Sequence, residues 1–513
     1  MSASKAQESG EVRMGHSLNT DEREFIARRK NTVLQSLQKL NIHCTQDKMP
    51  NIALLGSGGG QRAMVGLLEC LVQLDKAGLL DCILYLSGVS GSTWCMASLY
   101  KEPDWSTKLE TMKDKIIERI SGPGVSWDDK VAKLKKYYMK DFFSLTDLWA
   151  VLFVTSYVKE IDEQTISEQW DQHSKDPYPV YAVIDKQCKK REEGDPWLEV
   201  SPHEAGYSLT GAFVDTCNFG SQFENGSKKK HQPEMDMLYL QAVCSSALAD
   251  GEATWKWIKA ISAPELKSAL DKMEKDKTGG NASRSSQQSA GEDECYQELS
   301  SIVNADPSAL EQSSKTKLTD LFGAKKQTGQ TTQKTLKCIT QSIWGRNYNF
   351  LHNMTDESVP AALLQKETRD FIDAGLLLNS PYFSMLRKER NIDLLIALDF
   401  SDGDPFTTVR EAAKTCKKLN IPFPEVNVPS DEGKKPKDFY VFKGQNVPTV
   451  IHIPLFNVVN CGDKPGDWRK KYGILKGPYS AEMTAEVMGV AGKNISNNIE
   501  KLLEQIRAVA AAK

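Results

Sequence analysis

Two strand-loop-helix units stand back to back between Asn51 and about Tyr100, and they leave this chain few folds to choose from. Ile52 to Leu55 is a short apolar strand that runs into a glycine loop and then into a helix over Arg62 to Lys76. Cys82 to Leu86 reads as a second strand, and another helix starts near Thr93. Alternation of this kind predicts an α/β fold with a central, mostly parallel sheet and helices on its faces. The pattern resumes far downstream, with a fully buried strand over Ile392 to Phe400, a helix over Val409 to Leu419 and a strand over Thr449 to Phe456. Apolar residues at helical spacing in Glu22 to Leu40 predict a helical arm in residues 1–48, followed by one large domain over 49–513. That domain is interrupted at about 271–334, where stretches such as Thr278 to Ser289 are too polar to build a core and read as a mobile insertion.

The second strand ends in Gly88-Val89-Ser90-Gly91-Ser92, and a helix follows at once. A serine on a sharp strand-to-helix turn is exposed for attack, and the helix N-terminus behind it faces developing negative charge. The usual form is G-x-S-x-G, so Ser92 makes this a variant. The first loop, Gly56-Ser57-Gly58-Gly59-Gly60-Gln61-Arg62-Ala63, presents several backbone N–H groups toward one point and is a candidate oxyanion hole. It also fits the relaxed dinucleotide fingerprint Gly58-x-Gly60-x-x-Ala63, with Asp81 as the ribose-binding acid, which keeps a dinucleotide-dependent oxidoreductase as a rival. A serine nucleophile needs a base. Of the seven histidines His452 is the best by chain order, but inside Val450-Ile451-His452-Ile453-Pro454 it reads as a satisfied strand histidine. Asp373 and Asp399 both sit in apolar surroundings that raise a carboxyl pKa toward working pH, and spacing does not choose between them.

Composition narrows the partners. A net charge of -3 gives no global field for nucleic acid, and the lysine groups at Lys133 to Lys136, Lys228 to Lys230 and Lys414 to Lys418 read as solvated faces. The eleven cysteines lack zinc-type spacing and read as reduced thiols, so no metal and no cofactor is called for. No apolar run approaches the roughly 20 residues a spanning helix needs, and the polar N-terminus lacks the apolar core of a signal peptide. A cytoplasmic protein that associates reversibly with intracellular membranes is the expectation if the substrate is lipid.

Gly56 to Ala63, Ser87 to Trp94, Tyr178 to Asp185, Phe219 to Phe223 and Asp373-Ala374-Gly375-Leu376 together resemble, in the same order, the blocks of the group IV cytosolic phospholipases A2, most of all the gamma form. The resemblance spans almost the whole chain. It implies a patatin-like phospholipase catalytic domain with a Ser/Asp dyad, in which Ser90 matches the nucleophile and Asp373, not Asp399, the base. It further implies that the amides of Gly59 and Gly60 form the oxyanion hole and that Arg62 holds the substrate phosphate. Arg390 matches a family arginine to which the residues assign no role, and a surface ion pair accounts for it equally well. There is no room before the glycine loop for a calcium-binding C2 domain, so activity is expected without calcium, on a phospholipid membrane surface. The implied reaction is hydrolysis of glycerophospholipid acyl esters through an acyl-serine. Lysophospholipase or transacylase action with the same dyad stands beside it, and a catalytically silent lipid-binding module is the remaining alternative.

Overall fold

The computed structural model describes residues 10–513 except 192–193, 248, 250–342 and 475. The polar insertion expected at about 271–334 lies outside the described residues.

Fourteen strands are described: β1 (Arg13–Met14), β2 (Ile52–Gly56), β3 (Tyr85–Gly88), β4 (Tyr178–Asp185), β5 (Trp197–Val200), β6 (Glu204–Tyr207), β7 (Ala212–Asp215), β8 (Gln222–Glu224), β9 (Ser227–Lys230), β10 (Arg346–Tyr348), β11 (Thr368–Asp373), β12 (Leu394–Asp399), β13 (Tyr440–Phe442) and β14 (Thr449–Pro454). Twelve of them form one sheet in the order β1-β7-β6-β5-β4-β3-β2-β12-β14-β13, with β11 on β4 and β10 on β11, while β8 and β9 make a separate hairpin. The centre, β4-β3-β2-β12-β14, is parallel, and antiparallel strands extend it on both sides. Every residue of β2, β3, β4, β12 and β14 is buried, as expected of parallel strands covered on both faces.

Helix α1 (Thr20–Lys39) opens with the Asn19 side chain accepting from the Asp21 N–H and has acidic residues in its first turn. Phe25, Val33 and Leu37 are buried in the main core, so the N-terminal arm packs as part of the domain. Helices α2 (Gly60–Lys76) and α3 (Gly91–Tyr100) follow β2 and β3 directly and pack on each other. The helix Ala481–Ser496 covers α2, where the Cys70 thiol meets the Ala491 carbonyl.

The second strand begins three residues later than its apolar composition predicts. Leu80–Cys82 form a 3-10 turn held by the Arg29 guanidinium, which donates to the Leu80 and Ile83 carbonyls, and β3 starts only at Tyr85. The helices start two residues earlier than expected, at Gly60 and Gly91, after connections of only three and two residues from β2 and β3. Among the described residues no helix is long and apolar enough to cross a membrane.

Candidate active site

Strand β4 is long enough to pair with two partners along one edge. Its first half pairs with β3, which leaves at Gly88 opposite Tyr181. Two residues further on, β11 arrives on that same edge, antiparallel, and ends with Asp373 opposite Val183. The ends of β3 and β11 therefore converge and bring the Ser90 hydroxyl to the Asp373 carboxylate, whose pKa it lowers. Pairing across nearly two hundred residues of chain, invisible to any local pattern, is what brings the two together.

Ser90 occupies φ +53°, ψ -122°, a conformation costing on the order of 1–3 kcal/mol for a residue with a side chain. Close packing holds it there. A Cβ on Gly91 would stand 2.0 Å from the Gly60 carbonyl oxygen, so the first residue of α3 lies directly on the first peptide of α2. Ser92, where the usual motif has glycine, donates its hydroxyl to the Ser57 carbonyl at 2.6 Å. Room for it comes from Gly56, whose Cβ would fall 2.6 Å from the Ser92 Oγ. The departure from the usual motif thus becomes a tie between the elbow and the glycine loop.

Two helix N-termini consequently meet beside Ser90. As first residues of their helices, Gly60 and Gly91 have no intrahelical acceptor for their N–H groups, and both macrodipoles present their positive ends here. Gly60, at φ +58°, adopts the left-handed conformation that turns the loop into α2. The Gly58 N–H points elsewhere, to the Asn379 carbonyl at 3.1 Å.

Asp373 is 2% exposed. Burial pushes its carboxyl up to about 6, opposed by the neighbouring Ser90 hydroxyl and by the hydrogen bond from the Gly375 N–H at 2.7 Å. Asp399 is pushed up to about 6 for the same first reason, but it ends β12, two strands from β3, where its carboxylate accepts from the Ser401 N–H. Burial alone does not separate the two aspartates; strand pairing does. His452 lies on β14, one strand further out, packed against the rings of Phe406 and Tyr440, and burial lowers it to about 4.

Asp81 sits in the turn before β3, whereas the glycine loop follows β2, the parallel neighbour. The two are separated by the length of a strand, about 13 Å for four residues, and Asp81 lies 3.8 Å from Arg29 instead. That separation removes the dinucleotide reading, since a ribose bound by Asp81 would lie at the wrong end of the sheet.

The Arg62 guanidinium turns inward. It is 1% exposed, with Nε donating to the Phe400 carbonyl at 2.7 Å and Nη1 to the Tyr472 carbonyl, so it ties the loop after β12 and the helix Pro465–Lys471 to the start of α2. Its Nη2 faces Gly59, 3.1 Å from where a Cβ would be. Arg390 is no surface ion pair. It is 4% exposed and donates to Glu22 on α1 at 2.9 Å, to Glu199 on β5 at 2.5 Å and to the Ser384 carbonyl at 2.6 Å. Arg387 also reaches Glu199, and Tyr85 of β3 donates to Glu22, which joins α1, β3 and β5 beneath the elbow. Local sequence carries no sign of this network, because its acids come from segments some 190 to 370 residues away in the chain. Asn379 is the site residue that sequence reasoning missed: in Leu378-Asn379-Ser380-Pro381 it reads only as a turn.

A family model described as "Lysophospholipase catalytic domain" matches residues 52–408. Cytosolic phospholipase A2 gamma of Mus musculus is 32% identical over 555 aligned residues, covering 96% of this chain and 92% of its own. The Homo sapiens cytosolic phospholipase A2 gamma is 30% identical, over 98% of this chain and 97% of its own. The solved human GIVD cytosolic phospholipase A2 superposes with a TM-score of 0.74 at 22% identity, over 99% of this chain and 69% of that one, and so shares the fold. This chain belongs to the cytosolic phospholipase A2 family, the enzymes that hydrolyse the acyl esters of phospholipids.

Proposed function

We propose that Ser90 is the nucleophile and Asp373 the general base of a two-step hydrolysis. The convergence of Ser90, at the end of β3, with a buried carboxylate at the end of β11 that is pushed up to about 6 is the observation that carries this reading. Unperturbed, an aspartate near 3.9 is too weak a base; near 6 it remains mostly ionised at neutral pH and takes a proton far more readily. Ser90 Oγ attacks the ester carbonyl as its proton passes to Asp373. The oxyanion forms against the N–H groups of Gly59 and Gly60, with Gly91 beside them, and donors of this kind are worth about 3 kcal/mol each. Collapse expels the glycerol oxygen, which receives the proton from Asp373 and leaves as lysophospholipid. Water, deprotonated by the same carboxylate, then attacks the acyl-serine and releases fatty acid.

Arg62 Nη2, beside Gly59, is the atom we assign to the substrate phosphate. The electrostatic work of the site falls to backbone amides and an arginine, so calcium has no step to perform. Substrate is drawn from a phospholipid membrane surface that the protein visits reversibly. Lysophospholipase action is the second reading, favoured by the description of the matching family model, and transfer of the acyl group to another lipid shares the first half-reaction.

Vesicles of phosphatidylcholine carrying a labelled acyl chain at one glycerol position, incubated with calcium chelated, test the proposal. Release of labelled fatty acid with matching lysophospholipid supports it. Accumulation of fatty acid only when lysophospholipid is supplied moves lysophospholipase to first place, and no release from either substrate by folded protein contradicts both.

A further inference from the structure

The turn that begins with Asp373 returns, six residues later, to the glycine loop. Asn379 closes on Gly58 twice: the Gly58 N–H donates to the main-chain carbonyl of Asn379 at 3.1 Å, and the side-chain Nδ2 of Asn379 donates to the Gly58 carbonyl at 3.1 Å. The same Nδ2 reaches the Ser401 Oγ at 2.8 Å, beyond the end of β12. The Gly58 carbonyl accepts only, which fixes the orientation of the amide. Its oxygen faces the base turn. A Cβ on Gly375 would lie 2.8 Å from Asn379 Oδ1 and 3.0 Å from Asp373 Oδ1, so the two side-chain oxygens are less than about 6 Å apart. On the other side, a Cβ on Gly58 would meet Asn379 Oδ1 at 2.3 Å and the Ser90 Cβ at 3.1 Å. Any displacement of Gly58 is therefore felt by the nucleophile.

We propose that Asn379 is a positioning residue that locks the oxyanion loop to the general-base turn. One short segment, Asp373 to Asn379, supplies the base at its start and at its end a clasp on Gly58. The main-chain carbonyl of Asn379 commits the Gly58 N–H, which leaves Gly59 and Gly60 as the oxyanion amides of the proposed reaction, and the side chain adds the Nδ2 bonds to the Gly58 carbonyl and to Ser401. Asn379 takes no part in proton transfer. It acts through the registration of three elements, the ends of β2, β11 and β12, on which a few tenths of an ångström decide whether the oxyanion meets its donors. This inference rests on the Ser90/Asp373 reading.

The test compares wild type, Asn379→Ala and Asn379→Asp, with Ser90→Ala and Asp373→Ala as controls, on a soluble fluorescent ester and on vesicles. Asn379→Ala is expected to lower kcat roughly 10- to 100-fold with KM within about threefold, and to slow covalent modification of Ser90 by a fluorophosphonate by the same factor. Asn379→Asp, isosteric and bringing a second carboxylate near Asp373, is expected also to move the acidic limb of kcat/KM to higher pH, because a neighbouring negative charge favours the protonated base. A purely structural role lowers activity only as far as the folded fraction falls, with no selective loss of kcat and no selective slowing of fluorophosphonate labelling in the folded protein. Wild-type kcat and pH limb in both Asn379 variants, with the controls inactive, would overturn this inference alone. A kcat loss that merely follows the unfolded fraction measured by circular dichroism would overturn it too. Activity surviving in the controls would overturn the dyad reading and this one with it.

Discussion

Asp373 has two measurable signatures, one in rate and one in stability, and they run in opposite directions with pH. As the proposed base, the carboxylate must be ionised to accept the Ser90 proton, so kcat/KM on a soluble ester is expected to rise through about pH 6 and level above it. A pH-rate profile flat from 4 to 8 would contradict this. Stability behaves otherwise. The folded state holds the Asp373 proton more tightly than the unfolded chain, where an aspartate ionises near 3.9, so this group's contribution to stability falls as pH rises from about 4 through 6. Asp373→Asn keeps the acceptor for the Gly375 N–H and removes the buried charge. Above pH 6 it is expected to be more stable than wild type, by about 1–3 kcal/mol in urea unfolding, with the difference vanishing near pH 4. A variant less stable than wild type at pH 7 would show that burial is not what raises this carboxyl.

The elements show why function and fold share the same contacts. Helices α2 and α3 begin against each other at Gly60 and Gly91, and that contact directs two sets of free amides at one point. Gly91→Ala places a methyl 2.0 Å from the Gly60 carbonyl and forces the helices apart. A displacement near 1 Å costs on the order of 100-fold in rate, so fluorophosphonate labelling of Ser90 is expected to fall at least that far; labelling at the wild-type rate would refute the packing argument. Beneath the elbow, Arg390→Met leaves Glu22 and Glu199 buried with less than their full compensation. The expected loss is about 3–5 kcal/mol, read as a lowered urea midpoint, and an unchanged midpoint would contradict a buried network. The strand-to-helix elbow and the glycine loop were legible in sequence because each is a local pattern in which glycine, small residues and an apolar run agree. The choice between Asp373 and Asp399 was not legible from the residues themselves: both end apolar strands, both are buried and both are pushed up to about 6. Their difference lies in β11 joining the free edge of β4, a pairing between segments nearly two hundred residues apart. Arg390 escaped for a related reason, since its partners are on α1 and β5, and Asn379 resembles any other turn asparagine until its contact with Gly58 is seen.

At the scale of the molecule, the sheet places everything the chemistry needs at one end. The parallel strands β2, β3 and β12 deliver the glycine loop, Ser90 and the Ser401 region at their C-terminal ends, and β11 brings Asp373 to the same place from the opposite direction. Ligand sites at the C-terminal ends of parallel strands are general for open α/β sheets. In the proposed reaction the charge that develops on the substrate is met by fixed backbone dipoles of two helices. Hydrolysis of vesicles is accordingly expected to be unchanged, within about twofold, when calcium is chelated, and a tenfold or greater loss restored by calcium would refute that expectation. The most direct test of the central claim is covalent. Wild type, Ser90→Ala and Asp373→Ala are treated with a fluorophosphonate serine probe, and the adduct is located by peptide mass spectrometry. The dyad predicts a single adduct on Ser90 in wild type, none in Ser90→Ala and a strongly slowed adduct in Asp373→Ala. Labelling of another serine, or full-rate labelling of Ser90 without Asp373, would contradict it.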